Sequence, residues 1–152
     1  MTAVSEFKSR GHIVYSAKWH LIWTPTGFCR LGTEHCRRPV LVDGVDVRLK
    51  EIISEVCDES AVEMIEVEVM ADHVHLLVAV LPPFAHGAGP PQTPIPQFVK
   101  VVKGRSSRLL RREYPTLRSL PSLWTRSYFC STVGGCPLEV VRRYVENQKR
   151  AA

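Results

Sequence analysis

Residues 62–81 read VEMIEVEVMADHVHLLVAVL, a pattern typical of two β-strands joined by a short turn. In the first half, apolar and acidic residues alternate, as they do on a strand with one buried face and one solvated face. Ala71 and Asp72 then mark a turn, and the run that follows resembles a buried strand. We therefore predict a β-hairpin over residues 62–81.

The second strand of this hairpin carries two histidines at alternate positions, His73 and His75. Successive side chains of a strand point to opposite faces, so the two imidazoles share one face and Val74 points to the other. Two imidazoles at fixed separation on a rigid element can bind a divalent metal. Alternatively, they are structural residues on the polar side of a half-solvated strand. The hairpin alone leaves both interpretations open.

Composition predicts one domain spanning residues 1–152. The chain is 45% hydrophobic and 23% charged, which allows a compact core. No apolar stretch approaches the length of a membrane span, and the N-terminus lacks the apolar core of a signal peptide. The five cysteines show no CxxC pair, so we expect reduced thiols. Together these features predict a cytoplasmic protein without membrane association.

Charge is distributed unevenly along the chain. Residues 97–152 contain twelve Lys or Arg against three acids, a net +9, whereas the preceding 96 residues contain eight against twelve, a net −4. A basic C-terminal third indicates a polyanionic partner, most simply nucleic acid. The alternative is an ordinary solvated helix surface. The cations Lys103, Arg105 and Arg108 are candidates for contacts to phosphate, and each has that same alternative.

The remaining elements follow from periodicity and from proline positions. We predict a strand over 12–24, an amphipathic helix over 46–59, a proline-rich loop over 82–96, a helix over 97–112, a strand over 123–133 and a last helix over 137–148. The order β, α, β, β, α, β predicts an α+β, ferredoxin-like (RRM-like) fold, with a four-stranded antiparallel sheet, two helices on one face and an added C-terminal helix. In this topology the first and third strands are central neighbours, so the histidine strand lies mid-sheet.

The last predicted helix carries a second candidate pair, Tyr144 and Gln148, which lie about one turn apart on the same helical face. A tyrosine hydroxyl can act as a nucleophile when an electrophilic centre is near. A helical tyrosine is more often a half-buried packing residue, and a glutamine near a helix end is usually solvated.

Taken together, these windows resemble the single-tyrosine HUH transposases of the smallest bacterial insertion sequences and the related enzymes associated with repetitive extragenic palindromes. The HUH motif (His, hydrophobic residue, His) is matched by residues 73–75, and the tyrosine motif by YVENQ at 144–148. Further similarity lies in WHLIWTP at 19–25, RLKEII at 48–53, ADHVHLLV at 71–78, VKGRSSRLL at 102–110 and LWTRSYFCSTVGG at 123–135.

The resemblance implies an enzyme that cleaves and rejoins single-stranded DNA with hairpin ends. Tyr144 would be the nucleophile that forms a 5′-phosphotyrosine intermediate, and the C-terminal helix would carry it. His73, His75 and Gln148 would hold one Mg²⁺ or Mn²⁺. The resemblance also implies a homodimer in which the tyrosine helix completes the site of the partner.

Two segments depart from the family pattern: residues 26–36 follow the first strand as an insertion, and the loop over 82–96 is longer than usual. An alternative of a different class is a noncatalytic RNA-recognition module, which shares the same element order but stacks bases on exposed sheet aromatics. The sequence shows no such aromatic pattern on the third strand.

Overall fold

In the part of the chain that the structure describes, the fold consists of a four-stranded antiparallel sheet, two long helices and a small two-stranded sheet. The computed structural model describes residues 8–10, 13–15, 17–26, 40–80, 94–132 and 146–147. The strands are β1 (Lys8–Arg10), β2 (Ile13–Tyr15), β3 (Lys18–Trp23), β4 (Glu63–Val69), β5 (Val74–Ala79) and β6 (Phe129–Thr132), and the helices are α1 (Val45–Glu59) and α2 (Ile95–Glu113) with a short 3-10 helix at Pro115–Ser119.

The main sheet has the strand order β4-β5-β3-β6, and every neighbouring pair is antiparallel. Its first and third strands along the chain, β3 and β5, are therefore the central neighbours, which confirms the predicted position of the histidine strand. Lys18 lies opposite Ala79, and the pairing continues to Trp23 opposite Val74. The Met70 amide donates a hydrogen bond of 2.9 Å to the His73 carbonyl oxygen, which closes the turn between β4 and β5.

One face of this sheet forms the core with the two helices. Alternate residues of the central strands are fully buried in a single hydrophobic cluster: Leu21 and Trp23 on β3, and Val74, Leu76 and Val78 on β5. The helices contribute Leu49, Ile52, Ile53 and Val56 from α1 and Phe98, Val99, Val102 and Leu110 from α2 to the same cluster. The result is a layer of helices against one face of the sheet.

The strand predicted over residues 12–24 is two strands. β2 pairs with β1 in a separate two-stranded sheet, and the main sheet begins only at Lys18 on β3. β-branched and aromatic residues favour extended chain, but they do not specify which strand is the partner. The sequence pattern therefore could not show where the chain changes partners.

The strand predicted over residues 123–133 is shorter than expected, because β6 covers only Phe129–Thr132. Upstream, Leu123 and Trp124 are buried in the core, and Trp124 forms one isolated bridge with Pro25. The indole Nε1–H of Trp124 donates to Ser106 Oγ on α2 at 2.9 Å. This segment therefore binds the helix layer instead of continuing the strand.

Helix α2 begins at Ile95, two residues earlier than predicted, with Pro96 in its first turn. Proline is tolerated there because the first amides of a helix have no intrahelical acceptor. The predicted proline-rich loop over 82–96 lies outside the described residues up to position 93. Of the predicted last helix, only Glu146 and Asn147 are described, and both are helical.

Two further findings concern membrane-spanning helices and the free cysteines. No helix within the described ranges is long and apolar enough to cross a bilayer. Cys57, which is buried, and Cys130, which is exposed, are free thiols, as predicted for these two residues. Burial, with a smaller contribution from Asp58, raises the pKa of Cys57 to about 12, so this thiol stays protonated at neutral pH.

Replacing Val78 with Ala should test the role of β5 in the core. Val78 is fully buried, and the lost methyl groups plus the resulting cavity should lower the free energy of unfolding by about 2 kcal/mol. Val47 is 59% exposed on α1, so Val47→Ala, the same truncation, should change it by less than about 0.5 kcal/mol. Urea denaturation of both variants measures the difference; equal losses would show that β5 does not form the core.

Candidate active site on the sheet face opposite the helices

The sheet face that points away from the helices carries the candidate site, and we call it the histidine face. Residues directly opposite in register share a face. His20 and Ile22 of β3 therefore lie beside Leu77 and His75 of β5, with Glu66 and Glu68 on β4 and Phe129 and Ser131 on β6. The face thus combines two imidazoles, two carboxylates and a few apolar side chains.

His73 lies at the end of the hairpin turn, one residue before β5 begins. Its Nδ1 lies 2.8 Å from Asp72 Oδ1, and 23% of its side chain is exposed. A carboxylate accepts hydrogen bonds, so neutral His73 donates from Nδ1 and keeps Nε2 as its free acceptor nitrogen. A carboxylate on the far nitrogen is the arrangement that orients metal-binding histidines.

His75 contacts a residue that sequence analysis did not single out, His20. The two rings are nearly parallel, at an interplanar angle of 15°, and His20 Nδ1 lies 2.9 Å from His75 Nε2. The ring centroids lie 5.2 Å apart. This is the separation expected when the 2.9 Å nitrogen–nitrogen contact lies on the line that joins the two ring centres. The rings therefore meet edge to edge, joined by a linear N–H···N bond.

His20 could have been found from the sequence WHLIWT. Side chains alternate between the two faces of a strand, so His20 lies on the face opposite Leu21 and Trp23. Burial lowers the pKa of His20, and the neighbouring His75 lowers it further, while Glu66 acts in the opposite direction. His20 is therefore held in its neutral form at neutral pH.

The donor set at this site suits a divalent metal. Imidazole nitrogens bind divalent transition-metal ions. His75 lies on a central strand of the sheet, which is rigid, and His73 lies one residue before that strand begins. Among the described residues, no group of three or more His, Cys, Asp or Glu side chains is placed to hold a metal ion. A metal bound by His73 and His75 therefore needs another ligand. Gln148, predicted for that role, and Tyr144 lie outside the described residues.

The three basic candidates, Lys103, Arg105 and Arg108, lie on α2 in the helix layer. Arg105 donates two hydrogen bonds to the carboxylate of Glu59, at 2.8 and 2.6 Å. Arg108 is exposed and forms no hydrogen bond or ion pair with another described residue. A cavity of about 370 Å³ is lined by Gln97, Lys100, Val101, Gly104, Arg105 and Arg108.

Lys103 differs from the other two cations because its ammonium group points into the protein. Nζ donates to the carbonyl oxygens of Thr125 at 2.6 Å and Ser127 at 3.1 Å. Burial lowers the pKa of Lys103. In this conformation Lys103 connects α2 to the segment that precedes β6. Arg108 is the most accessible of the three cations.

The fold and its paired imidazoles define an α+β domain with a candidate metal-binding face, and comparison with known proteins gives its family. Residues 13–148 match the family model described as Transposase IS200 like. The ISDra2 transposase TnpA of Deinococcus radiodurans is 35% identical over 144 residues, covering 93% of this chain and 89% of that protein. The IS200 transposase of Salmonella typhimurium is 24% identical, covering 93% and 82%.

A solved structure agrees with these sequence relationships. The crystal structure of a candidate transposase from Deinococcus radiodurans R1 superposes with a TM-score of 0.70 at 34% identity, covering 93% of this chain and 96% of that one. The chain belongs to the IS200-like transposase family, and it is therefore an enzyme that acts on DNA. The family inferred from the sequence motifs is confirmed.

Replacing Lys103 with Met should destabilise the protein, because the hydrogen bonds from Nζ to the carbonyl oxygens of Thr125 and Ser127 are lost. We expect the free energy of unfolding to fall by about 1–3 kcal/mol. Lys100 is exposed on the same helix, so Lys100→Met is a matched control expected to change it by less than about 0.5 kcal/mol. Chemical denaturation distinguishes the two, and a Lys103→Met protein as stable as the wild type would contradict the structural role of this lysine.

Proposed function

We propose that this protein cleaves and rejoins single-stranded DNA through a 5′-phosphotyrosine intermediate formed by Tyr144, with Mg²⁺ or Mn²⁺ held by His73, His75 and Gln148. The observation that carries the proposal is that His73 and His75 lie two residues apart where a central strand begins, each with its own hydrogen-bonding neighbour. Membership of the transposase family gives the class of substrate on which such a site acts.

The chemistry requires a polarised phosphate and a positioned nucleophile. A bound divalent ion would withdraw electron density from the scissile phosphate and stabilise the charge that develops on it. Asp72 would fix the ring of His73, so that its Nε2 points at one position throughout the reaction. The central strands supply a rigid support for that orientation.

In the proposed step the oxygen of Tyr144 forms a bond to phosphorus while the bond between phosphorus and the 3′ oxygen breaks. The tyrosine hydroxyl loses its proton and the departing 3′ oxygen gains one, which leaves a free 3′ hydroxyl and a tyrosine linked to the 5′ phosphate. Because one phosphate ester replaces another, a second 3′ hydroxyl can reverse the step on another strand. Rejoining therefore needs no nucleotide cofactor.

The proposed partners are DNA strands with hairpin ends and a second copy of this chain, whose tyrosine helix would complete the site in trans. The strongly basic C-terminal third supports a polyanionic partner. Among the three candidate cations, the exposed guanidinium of Arg108 is the best placed to contact phosphate, because Lys103 and Arg105 are engaged with protein oxygens.

The central experiment incubates labelled single strands from the DNA flanking the gene with the protein and Mg²⁺ or Mn²⁺, followed by a denaturing gel. Wild type should give a metal-dependent, denaturant-resistant adduct. Tyr144→Phe should give neither adduct nor cleavage while still binding DNA in a salt-sensitive manner, and His73→Ala should lose metal-dependent cleavage. Cleavage without an adduct would refute the tyrosine nucleophile, and full activity of His73→Ala would refute the assigned ligand.

Arg108→Gln should weaken single-strand binding and reduce its salt dependence. Removing one phosphate contact should lower the slope of log K against log salt by about 0.7 for a single strand. Lys100→Gln on the same helix measures how much the loss of one positive charge alone lowers this slope. Binding isotherms at several salt concentrations give both slopes, and an unchanged slope for Arg108→Gln would exclude this residue as a phosphate contact.

A further inference from the structure

The pairing of His20 with His75 restricts which nitrogen of His75 is available to a metal. The facing atoms are His20 Nδ1 and His75 Nε2, 2.9 Å apart, in rings that meet edge to edge. This bond joins the two central strands diagonally, since His20 lies opposite Leu77 and His75 lies opposite Ile22. No role for His20 follows from the sequence motifs described above.

The two nitrogens do not form a shared chelate in this arrangement. An imidazole binds a metal along its in-plane lone pair, with a metal–nitrogen distance of roughly 2.0–2.1 Å for zinc. Two lone pairs that point at each other along one line cannot converge on a single ion placed to the side. The contact is therefore a hydrogen bond, in which one ring donates and the other accepts.

The direction of this bond decides whether His75 can be a ligand. A neutral imidazole has one N–H and one nitrogen with a free lone pair. If His75 Nε2 accepted the bond, its Nδ1 would carry the proton, and neither nitrogen would be left for a metal. If His75 Nε2 donates instead, its Nδ1 keeps the free lone pair.

We propose that His20 is a positioning residue that accepts the Nε2–H of His75 and thereby fixes the tautomer that would leave the Nδ1 lone pair of His75 free to bind a metal. This inference rests on the proposed function, because it assigns His75 as a ligand. His73 has the complementary arrangement, since its Nδ1–H donates to Asp72 and leaves Nε2 free. The site would thus take different ring nitrogens from its two histidines.

The tautomer itself can be measured without metal or DNA. In two-bond ¹H–¹⁵N correlation spectra of the full chain above pH 8, His75 should show a protonated Nε2 and an unprotonated Nδ1. In His20→Leu, which removes the acceptor and fills its space, the His75 resonances should move toward the mixture of tautomers seen in free histidine. A His75 with its proton on Nδ1 in the wild type would overturn the proposal.

Metal affinity gives the second measurement, with free Mn²⁺ followed by electron paramagnetic resonance. His20→Leu should bind Mn²⁺ about 10–100-fold more weakly than wild type, because the neighbour that orients the ligand is lost. In His20→Asn a side-chain oxygen can take the place of Nδ1 as acceptor, so its affinity should stay within a few fold of wild type. Urea denaturation of both variants shows that they are folded.

The outcomes distinguish a failure of the proposed metal site from a failure of the positioning role of His20. Wild type that binds Mn²⁺ no better than His73→Ala would refute the proposed metal site, and the role of His20 with it. Binding that depends on His73 but is unchanged in His20→Leu would overturn the positioning role alone. Tighter binding in His20→Leu would also overturn it, because His20 would then compete with the metal for His75.

Discussion

The alternation of side chains along β3 and β5 is the constraint on which the remaining architecture depends. Their register places Leu21, Leu76 and Val78 against the helices, so His20 and His75 point to the other face. A slip of one residue in either strand would move imidazole into the core and apolar side chains out of it. The cost of burying unpaired imidazoles and exposing the core therefore fixes the register, and the register in turn places the two histidines within hydrogen-bonding distance.

The two faces of the sheet have different chemistry. The histidine face carries imidazoles and carboxylates, whereas the basic candidates lie across the sheet in the helix layer. In the helix layer, fewer cations are available to contact a polyanion than the formal charge of the C-terminal third suggests. Lys103 binds main-chain carbonyls, and Arg105 binds Glu59. The histidine face and Arg108 therefore lie on opposite sides of the sheet. The salt dependence of binding and the metal dependence of cleavage should respond to different substitutions.

Much of this arrangement was predictable from the sequence, because period and turn signals are local. Helix α1 and the hairpin of β4 and β5 lie within two residues of their predicted bounds, and the central position of the histidine strand followed from the element order. The division of residues 12–24 into two strands was missed, because strand propensity does not indicate which other strand a segment pairs with. The shortened β6 was missed because the Trp124–Ser106 bond is a tertiary contact. Strand alternation was sufficient to place His20 on the face of His75, but its contact with a residue 55 positions away is tertiary and could not be predicted.

The most direct test of the account is paramagnetic relaxation by Mn²⁺ in the full chain, observed amide by amide. We expect broadening centred on residues 72–76, extending to residues 19–22 and to Glu68, with the core-facing helices broadened far less. We also expect this pattern to disappear in His75→Ala. Arg48 on α1 forms ion pairs with Glu51, Glu55 and Glu113. Broadening centred on these three carboxylates, or spread evenly over surface carboxylates, would contradict a metal-binding role for the histidine face.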